Sequence, residues 1–181
     1  AALCRSEFGL DPARPLLSLC PGAEFGSAKR WPPAFFAELA REYLGRDWQV
    51  ALFGSGGDRA ACHQVWRESG SQAHCHDLAG RTSLAQVVDM LSLSSAVVSN
   101  DSGLMHVAAA LERPLVVIYG ATSPGFTPPL SGGAAIIASE LDCAPCFQRE
   151  CPLGHHRCML DTRPQQVAAK LDALLTGAAV S

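Results

Sequence analysis

The sequence predicts an α/β fold: a Rossmann-like parallel sheet with helices on both faces. Three observations carry that expectation. Short apolar runs alternate with helical stretches along the chain, which is the pattern of β-α-β units. The helical stretches place their apolar residues on one face, as helices packed on a sheet do. With 181 residues, 48% hydrophobic and 17% charged, the chain suits one well-packed unit and is too short for two full-sized ones.

Residues 1–15 mix charge with Gly9, Pro12 and Pro15 and read as a linker arriving from an upstream domain, so the domain proper is expected over 16–181. An apolar run at 16–20 is the first strand, and a helix follows at 33–44. There Phe35, Phe36, Leu39, Ala40 and Tyr43 share a face, and Pro32-Pro33 suits a helix start. A second strand at 49–53 completes β-α-β. A helix over 59–68 and a short strand near 74–78 come next, then a helix over 83–92 with Leu84, Val87, Val88 and Leu91 on one face. Ser83 and Gln86 form a capping box at its head. A strand at 96–99, a helix at 103–110 and a strand at 115–119 follow. Residues 120–133, rich in glycine and proline, form a loop of the length at which loops are often functional. The last helix, 164–175, turns Val167, Leu171, Leu174 and Leu175 inward.

The formal charge of −3 comes from 17 acidic and 14 basic residues interspersed without a run of either sign, so a nucleic-acid partner is not expected. No apolar run reaches the roughly 18 residues of a membrane helix, and the first residues lack an apolar signal core, which predicts a cytoplasmic chain without a transmembrane segment. Of eight cysteines, Cys4, Cys20, Cys62 and Cys75 lie in or beside apolar segments and read as inert small hydrophobes. The others form Cys143-x2-Cys146-x4-Cys151-x6-Cys158, with His155 and His156 inside the run. Four thiolates at that spacing are compatible with a tetrahedral zinc site, but the longer gaps are irregular, and no metal is the favoured expectation.

Ligands of an open parallel sheet bind beyond the carboxyl ends of its strands, so the loops after Cys20, Phe53, Ser99 and Tyr119 are the candidate site. The first carries glycines and then Lys29 and Arg30, which are either solvated charges or phosphate ligands. The second, Gly54-Ser55-Gly56-Gly57-Asp58, lacks both the dinucleotide fingerprint and a Walker lysine and can be a plain turn. The third, Asn100-Asp101-Ser102-Gly103-Leu104-Met105-His106, is the most informative. Asn100, Asp101 and Ser102 offer N-cap side chains, and His106 follows Gly103 by one turn. A cap alone does not call for glycine at a helix start, which costs on the order of 1 kcal/mol against alanine, whereas an anion bound at the bare helix N-terminus does.

Three stretches, CPGAEFGSAKRWP at 20–32, NDSGLMHVAAAL at 100–111 and RPLVVIYGATSPGFTPPL at 113–130, closely resemble the ADP-heptose lipopolysaccharide heptosyltransferases of glycosyltransferase family 9, and within them the type II branch. LAGRTSL at 78–84 and the cysteine-rich tail before the final helix fit the same family, in whose relatives similar cysteine segments recur as local loops. The resemblance implies a GT-B enzyme, two Rossmann-like domains facing each other across a cleft. This chain is similar to the C-terminal, nucleotide-sugar-binding one. It implies ADP-L-glycero-D-manno-heptose as donor, inverting transfer to the lipopolysaccharide inner core, no required cofactor, and a catalytic aspartate on an N-terminal acceptor domain rather than in this chain.

Residue by residue, the resemblance gives Lys29 the donor pyrophosphate, Asp101 the heptose hydroxyls, and the backbone of Ser102 and Gly103 the phosphate. It gives His106 a hydrogen bond beside the phosphates and puts Thr82 near the adenine. A related enzyme grips the ribose with an acidic residue after the second strand. Here Ser55-Gly56-Gly57 stands in that place and Asp58 is the substitute. The alternative is a nucleotide-binding module with no catalysis as an isolated chain, and a cytoplasmic location leaves peripheral association with the inner membrane open.

Overall fold

The computed structural model describes residues 6–177, so Cys4 and the first third of the expected linker lie outside the described residues. Six parallel strands form one sheet: β1 (Leu16–Cys20), β2 (Gln49–Leu52), β3 (Cys75–Asp77), β4 (Ala96–Asn100), β5 (Leu115–Tyr119) and β6 (Ala134–Ala138). Their spatial order is β3-β2-β1-β4-β5-β6. The helices are α1 (Pro33–Gly45), α2 (Arg59–Glu68), α3 (Leu84–Ser92), α4 (Gly103–Ala110), α5 (Arg157–Leu160) and α6 (Pro164–Thr176). The expected α/β class with both faces covered is what is found.

Because strand side chains alternate between faces, one short run feeds two cores. Leu17 and Leu19 of β1 join Phe36, Leu39 and Tyr43 of α1, Val65 of α2, and Val167 and Leu171 of α6. Leu16 and Cys20 point the other way and join Val87, Met90 and Leu91 of α3 with Met105 and Ala108 of α4. The central strands β1, β4 and β5 are buried throughout, which is why they read as apolar runs and not as alternating ones.

Local signals act where expected. Pro33 is the first residue of α1. Ser83 Oγ accepts the Gln86 N–H at 3.2 Å, and Gln86 Oε1 accepts the Ser83 N–H at 2.9 Å, closing the capping box of α3. Residues 10–15 are fastened to the domain: Leu10 is buried, and the amide of Gln49 takes the Asp11 N–H and donates to the carbonyls of Asp11 and Arg14.

Four assignments need correction. Strand β6 was not anticipated; among the described residues it pairs only with β5, it is half exposed, and three of its five residues are alanine, which strands do not favour. The single turn α5 was missed because its N-cap residue, His156, is in a left-handed conformation with no side-chain cap to announce the helix. Leu84, at the head of α3, is 68% exposed rather than core, and Leu175 near the end of α6 is also exposed. In both cases helical spacing fixes the face but not how far the packing reaches along it.

Candidate functional site

The chain runs outward from β1 through β2 to β3, then crosses back to β4 and runs the other way. Between β1 and β4 the loops at the carboxyl ends therefore splay apart, leaving a crevice. A cavity of about 520 Å³ occupies it, a size typical of small-molecule sites. Cys20, Gly22 and Ala23 line it after β1, Gly54, Ser55 and Asp58 after β2, Thr82, Leu84 and Val87 before and along α3, and Ser102, Gly103, Leu104 and Val107 on α4. One wall, Leu84, Val87, Leu104 and Val107, is apolar, and the mouth next to α4 is polar.

The glycine turn after β2 is built around Asp58. Its Oδ2 accepts the Ser55 N–H at 2.8 Å and the Ser55 hydroxyl at 2.7 Å, while Ser55 Oγ takes the Gly57 N–H at 3.2 Å. The carboxyl lies across Gly22 and Gly54, so closely that a Cβ on Gly22 would sit 2.4 Å from Asp58 Cγ. Glycine at these two positions is a steric requirement. The turn is an ordered wall of the cavity and not a plain flexible connection.

Asn100, fully buried at the end of β4, ties the loop after β1 to its neighbour: Oδ1 accepts the Trp31 N–H at 3.1 Å and Nδ2 donates to the Pro21 carbonyl at 2.8 Å. That tether delivers Lys29 to Asp101. Lys29 Nζ lies 2.6 Å from Asp101 Oδ2, with the lysine 13% and the aspartate 4% exposed. Lys29 is therefore no solvated surface charge; it also stands over the Phe25 ring, 5.2 Å from its centroid. Arg30, by contrast, is exposed and folds back onto the Ala23 carbonyl. Asp101 takes two more donors from the loop after β5: the Thr122 hydroxyl on Oδ2 at 2.6 Å and the Thr127 hydroxyl on Oδ1 at 3.2 Å. Neither threonine was singled out from sequence, although the length of the 120–133 loop marked its segment.

Of the three candidate caps, only Ser102 stands at the N-cap of α4, and its side chain makes no capping bond; it pairs with the Ser99 hydroxyl at 3.3 Å. The Met105 N–H is met by the Ser102 carbonyl at 3.1 Å, while among the described residues no side chain caps the start of the helix, where Gly103 and Leu104 line the cavity. A Cβ added to Gly103 would meet nothing within 4 Å. Glycine here leaves room for a ligand and does not relieve a clash. His106 is exposed and lies outside the cavity lining, on the flank of α4 away from Leu104. Thr82, half-buried, lines the cavity, with its hydroxyl 3.5 Å from the Leu78 carbonyl. The structure thus gathers Thr82, Ser102 and Gly103 at one cavity and Lys29 with Asp101 beside it, and leaves His106 on the outer rim.

The cysteine-rich segment buttresses this site. The Ala28 N–H donates to the Arg149 carbonyl at 3.0 Å, and Gly26 lies so close that a Cβ there would be 2.2 Å from that oxygen. The Phe147 N–H donates to the Ala121 carbonyl at 2.7 Å. Cys143, Cys146, Cys151 and Cys158, with His155, surround a void of about 20 Å³. Among the described residues, no three histidine, cysteine or acidic side chains converge as a metal-ligand group. Burial pushes the Cys20 thiol up to about 12 and the Cys75 thiol up to about 11, and raises that of Cys62, so these three are protonated, unreactive core residues. No helix among the described residues is long and apolar enough to cross a membrane.

Comparison with known proteins gives the family. The family model described as glycosyltransferase family 9 (heptosyltransferase) matches residues 4–157. The chain is 46% identical to lipopolysaccharide heptosyltransferase 2 of Salmonella typhimurium over 97% of its own length and 51% of that protein's. It is 42% identical to lipooligosaccharide heptosyltransferase 2 of Haemophilus influenzae over 90% of its length and 48% of that protein's. The solved structure of E. coli ADP-heptose lps heptosyltransferase II superposes with a TM-score of 0.87 at 44% identity, covering 97% of this chain and 51% of that one. The chain spans about half the length of the curated relatives it matches. With the family match over most of its residues and these identities, the chain belongs to glycosyltransferase family 9, the heptosyltransferases.

Proposed function

We propose that this chain binds ADP-L-glycero-D-manno-heptose and provides the donor half of a glycosyltransferase that moves heptose, with inversion, to the lipopolysaccharide inner core. The observation that carries the reading is the uncapped start of α4 opening onto the crevice beside the Lys29–Asp101 pair. A diphosphate fits there because open N–H groups and the helix dipole favour an anion, and a lysine stands next to them. In this reading adenine lies against the apolar wall near Thr82, and Asp58 Oδ1 accepts a ribose hydroxyl. The pyrophosphate sits on Ser102 and Gly103 within reach of Lys29, with His106 donating from the rim, and Asp101 holds the heptose hydroxyls.

The chemistry that follows is leaving-group stabilisation. As the bond to the anomeric carbon breaks, negative charge grows on the departing ADP, and the Lys29 ammonium and the α4 terminus are already oriented to meet it. That field needs no metal and no cofactor. The relatives are about twice as long, and in this reading their additional length carries the acceptor site and the aspartate base. The enzyme then works in the cytoplasm or at the inner face of the inner membrane, on a lipid-linked core acceptor.

Calorimetry with ADP, UDP and GDP tests the donor assignment: selective binding of ADP is expected, and equal binding of all three, or none, would refute it. A second assay separates the donor half from a bare nucleotide-binding module. The chain is mixed with ADP-heptose and a heptose-primed core acceptor, with and without the N-terminal half of a relative, and the acceptor is weighed by mass spectrometry. A gain of one heptose only when both halves are present is expected, because transfer also needs an acceptor held in attack geometry, worth roughly 7–11 kcal/mol of barrier.

A further inference from the structure

The loop after β5 contributes to the site through a device that the donor reading does not use. Asp101 is 4% exposed, and its carboxylate is gripped on both oxygens. Oδ2 takes the Lys29 ammonium and the Thr122 hydroxyl, each at 2.6 Å; Oδ1 takes the Thr127 hydroxyl at 3.2 Å. The terminal torsion of an aspartate is intrinsically broad and roughly two-fold, so one ion pair would leave the carboxylate plane free to rock. Two hydroxyls on opposite oxygens remove that freedom. They also fill the acceptor sites selectively: an ionised carboxylate has about four lone-pair positions, and three are occupied, leaving one, on Oδ1, for a ligand hydroxyl.

The sequence between the threonines explains how both reach one carboxylate. In Thr122-Ser123-Pro124-Gly125-Phe126-Thr127 the N–H groups of Phe126 and Thr127 both donate to the Ser123 carbonyl, at 3.0 and 3.2 Å, folding the segment into a tight turn. Beneath it, the fully buried ring of Tyr119 at the end of β5 sends its hydroxyl to the Thr127 carbonyl at 2.6 Å. The position of Thr127 is thereby referred to the sheet itself. Burial, reinforced by the charge of Asp101, raises the Tyr119 hydroxyl's pKa, so it remains a donor throughout the physiological range.

We infer that Thr122 and Thr127 are positioning residues that set the plane of the Asp101 carboxylate and so determine how well the sugar, as distinct from the nucleotide, of a nucleotide-sugar donor is held. The inference rests on the donor reading above. Neither threonine lines the cavity. Each acts through Asp101, and the pair makes the loop after β5 a determinant of sugar recognition.

The test is calorimetry of the chain with ADP and with ADP-heptose, on wild type, Thr122→Val, Thr127→Val and Thr122→Ser, each with its melting temperature. Thr122→Val is expected to weaken ADP-heptose binding about tenfold and ADP binding less than about twofold, the loss of one hydrogen bond to a charged group. Thr127→Val, whose bond is longer, should lose about threefold on the same selective pattern. Thr122→Ser keeps the hydroxyl and should restore the wild-type ratio even where folding is slightly weakened. Placed on an Asp101→Asn background, Thr122→Val should cost no further affinity, since the group it positions has gone. Equal losses for both ligands, or a full additional loss on Asp101→Asn, would overturn the assignment while leaving donor binding in place. Failure of the wild-type chain to bind either ligand would instead remove the donor reading and this assignment together.

Discussion

Replacing Lys29 separates the two roles that its position suggests. The ammonium is held by Asp101 at 2.6 Å and by the Phe25 ring at 5.2 Å. Removing it has a stability cost first. Leaving a buried charge wholly uncompensated is worth about 3–5 kcal/mol, but Asp101 keeps two hydroxyl donors of about 1 kcal/mol each, so Lys29→Ala should destabilise the fold by about 1–3 kcal/mol. The effect on ligands is distinct from that cost. A charge-assisted contact with phosphate is worth ~1.5–3 kcal/mol, and because Lys29 already has an anionic partner to share, the lower end applies. ADP affinity should therefore fall about tenfold, while adenosine, which carries no phosphate, should change by less than about twofold. Lys29→Met keeps the stem over Phe25 and removes only the charge, so it should reproduce the ADP loss with a smaller fall in melting temperature. Calorimetry with both ligands on both variants measures the difference. Equal losses for ADP and adenosine would place Lys29 away from the pyrophosphate and leave it a purely structural partner of Asp101.

Asp101→Asn, read by the same calorimetry, should lower the affinity for ADP-heptose about tenfold and spare ADP, because a neutral amide loses a charged acceptor of sugar hydroxyls but leaves Lys29 in reach of phosphate. Gly103→Ala puts a methyl into open space at the start of α4, where nothing lies within 4 Å, so the melting temperature should hold or rise while ADP binding weakens by about tenfold; unchanged binding would mean that no ligand approaches that backbone. Metal analysis of protein purified without added metal should find well under one zinc per chain, and one tightly held zinc lost on Cys146→Ser would make the cysteine segment a structural metal site.

The parts of the fold that could be read in advance were those where several local signals coincide. Helix α3 had an apolar face and a capping box, α1 had a proline at its first turn, and the central strands were short, largely apolar runs. Helix α5 had no cap to mark it, and strand β6, though apolar, is a short alanine-rich run directly after a glycine- and proline-rich loop. An edge strand satisfies hydrogen bonds on one side only and half exposes its side chains, so it is not obliged to carry the composition of a buried strand. Leu84 shows a different limit. Periodicity assigned it to the buried face of α3, but the residue walls the cavity and does not join the core.

The site divides in the same way. Local chemistry was legible: a bare helix start at Gly103 and an acidic side chain and lysine in loops that converge at the sheet's carboxyl end. What no local pattern could show was how those groups partner one another. Lys29 and Asp101 are separated by two full β-α units, and their pairing depends on Asn100 drawing the first loop across to β4 through Trp31 and Pro21. Thr122 and Thr127 are ordinary loop residues until the Ser123 turn and the Tyr119 hydroxyl bring both onto one carboxylate. Asp58, set aside as a substitute, became a cavity wall because Gly22 and Gly54, in the loops after two different strands, leave space for its side chain. In each case the deciding contact joins loops that follow different strands, and only the order β3-β2-β1-β4-β5-β6 brings them side by side. Asn100→Ala, which leaves Lys29, Asp101, Ser102 and Gly103 unchanged, should therefore damage the site more than its distance from the cavity suggests, since that one amide aligns the lysine loop with the helix that would hold the phosphate.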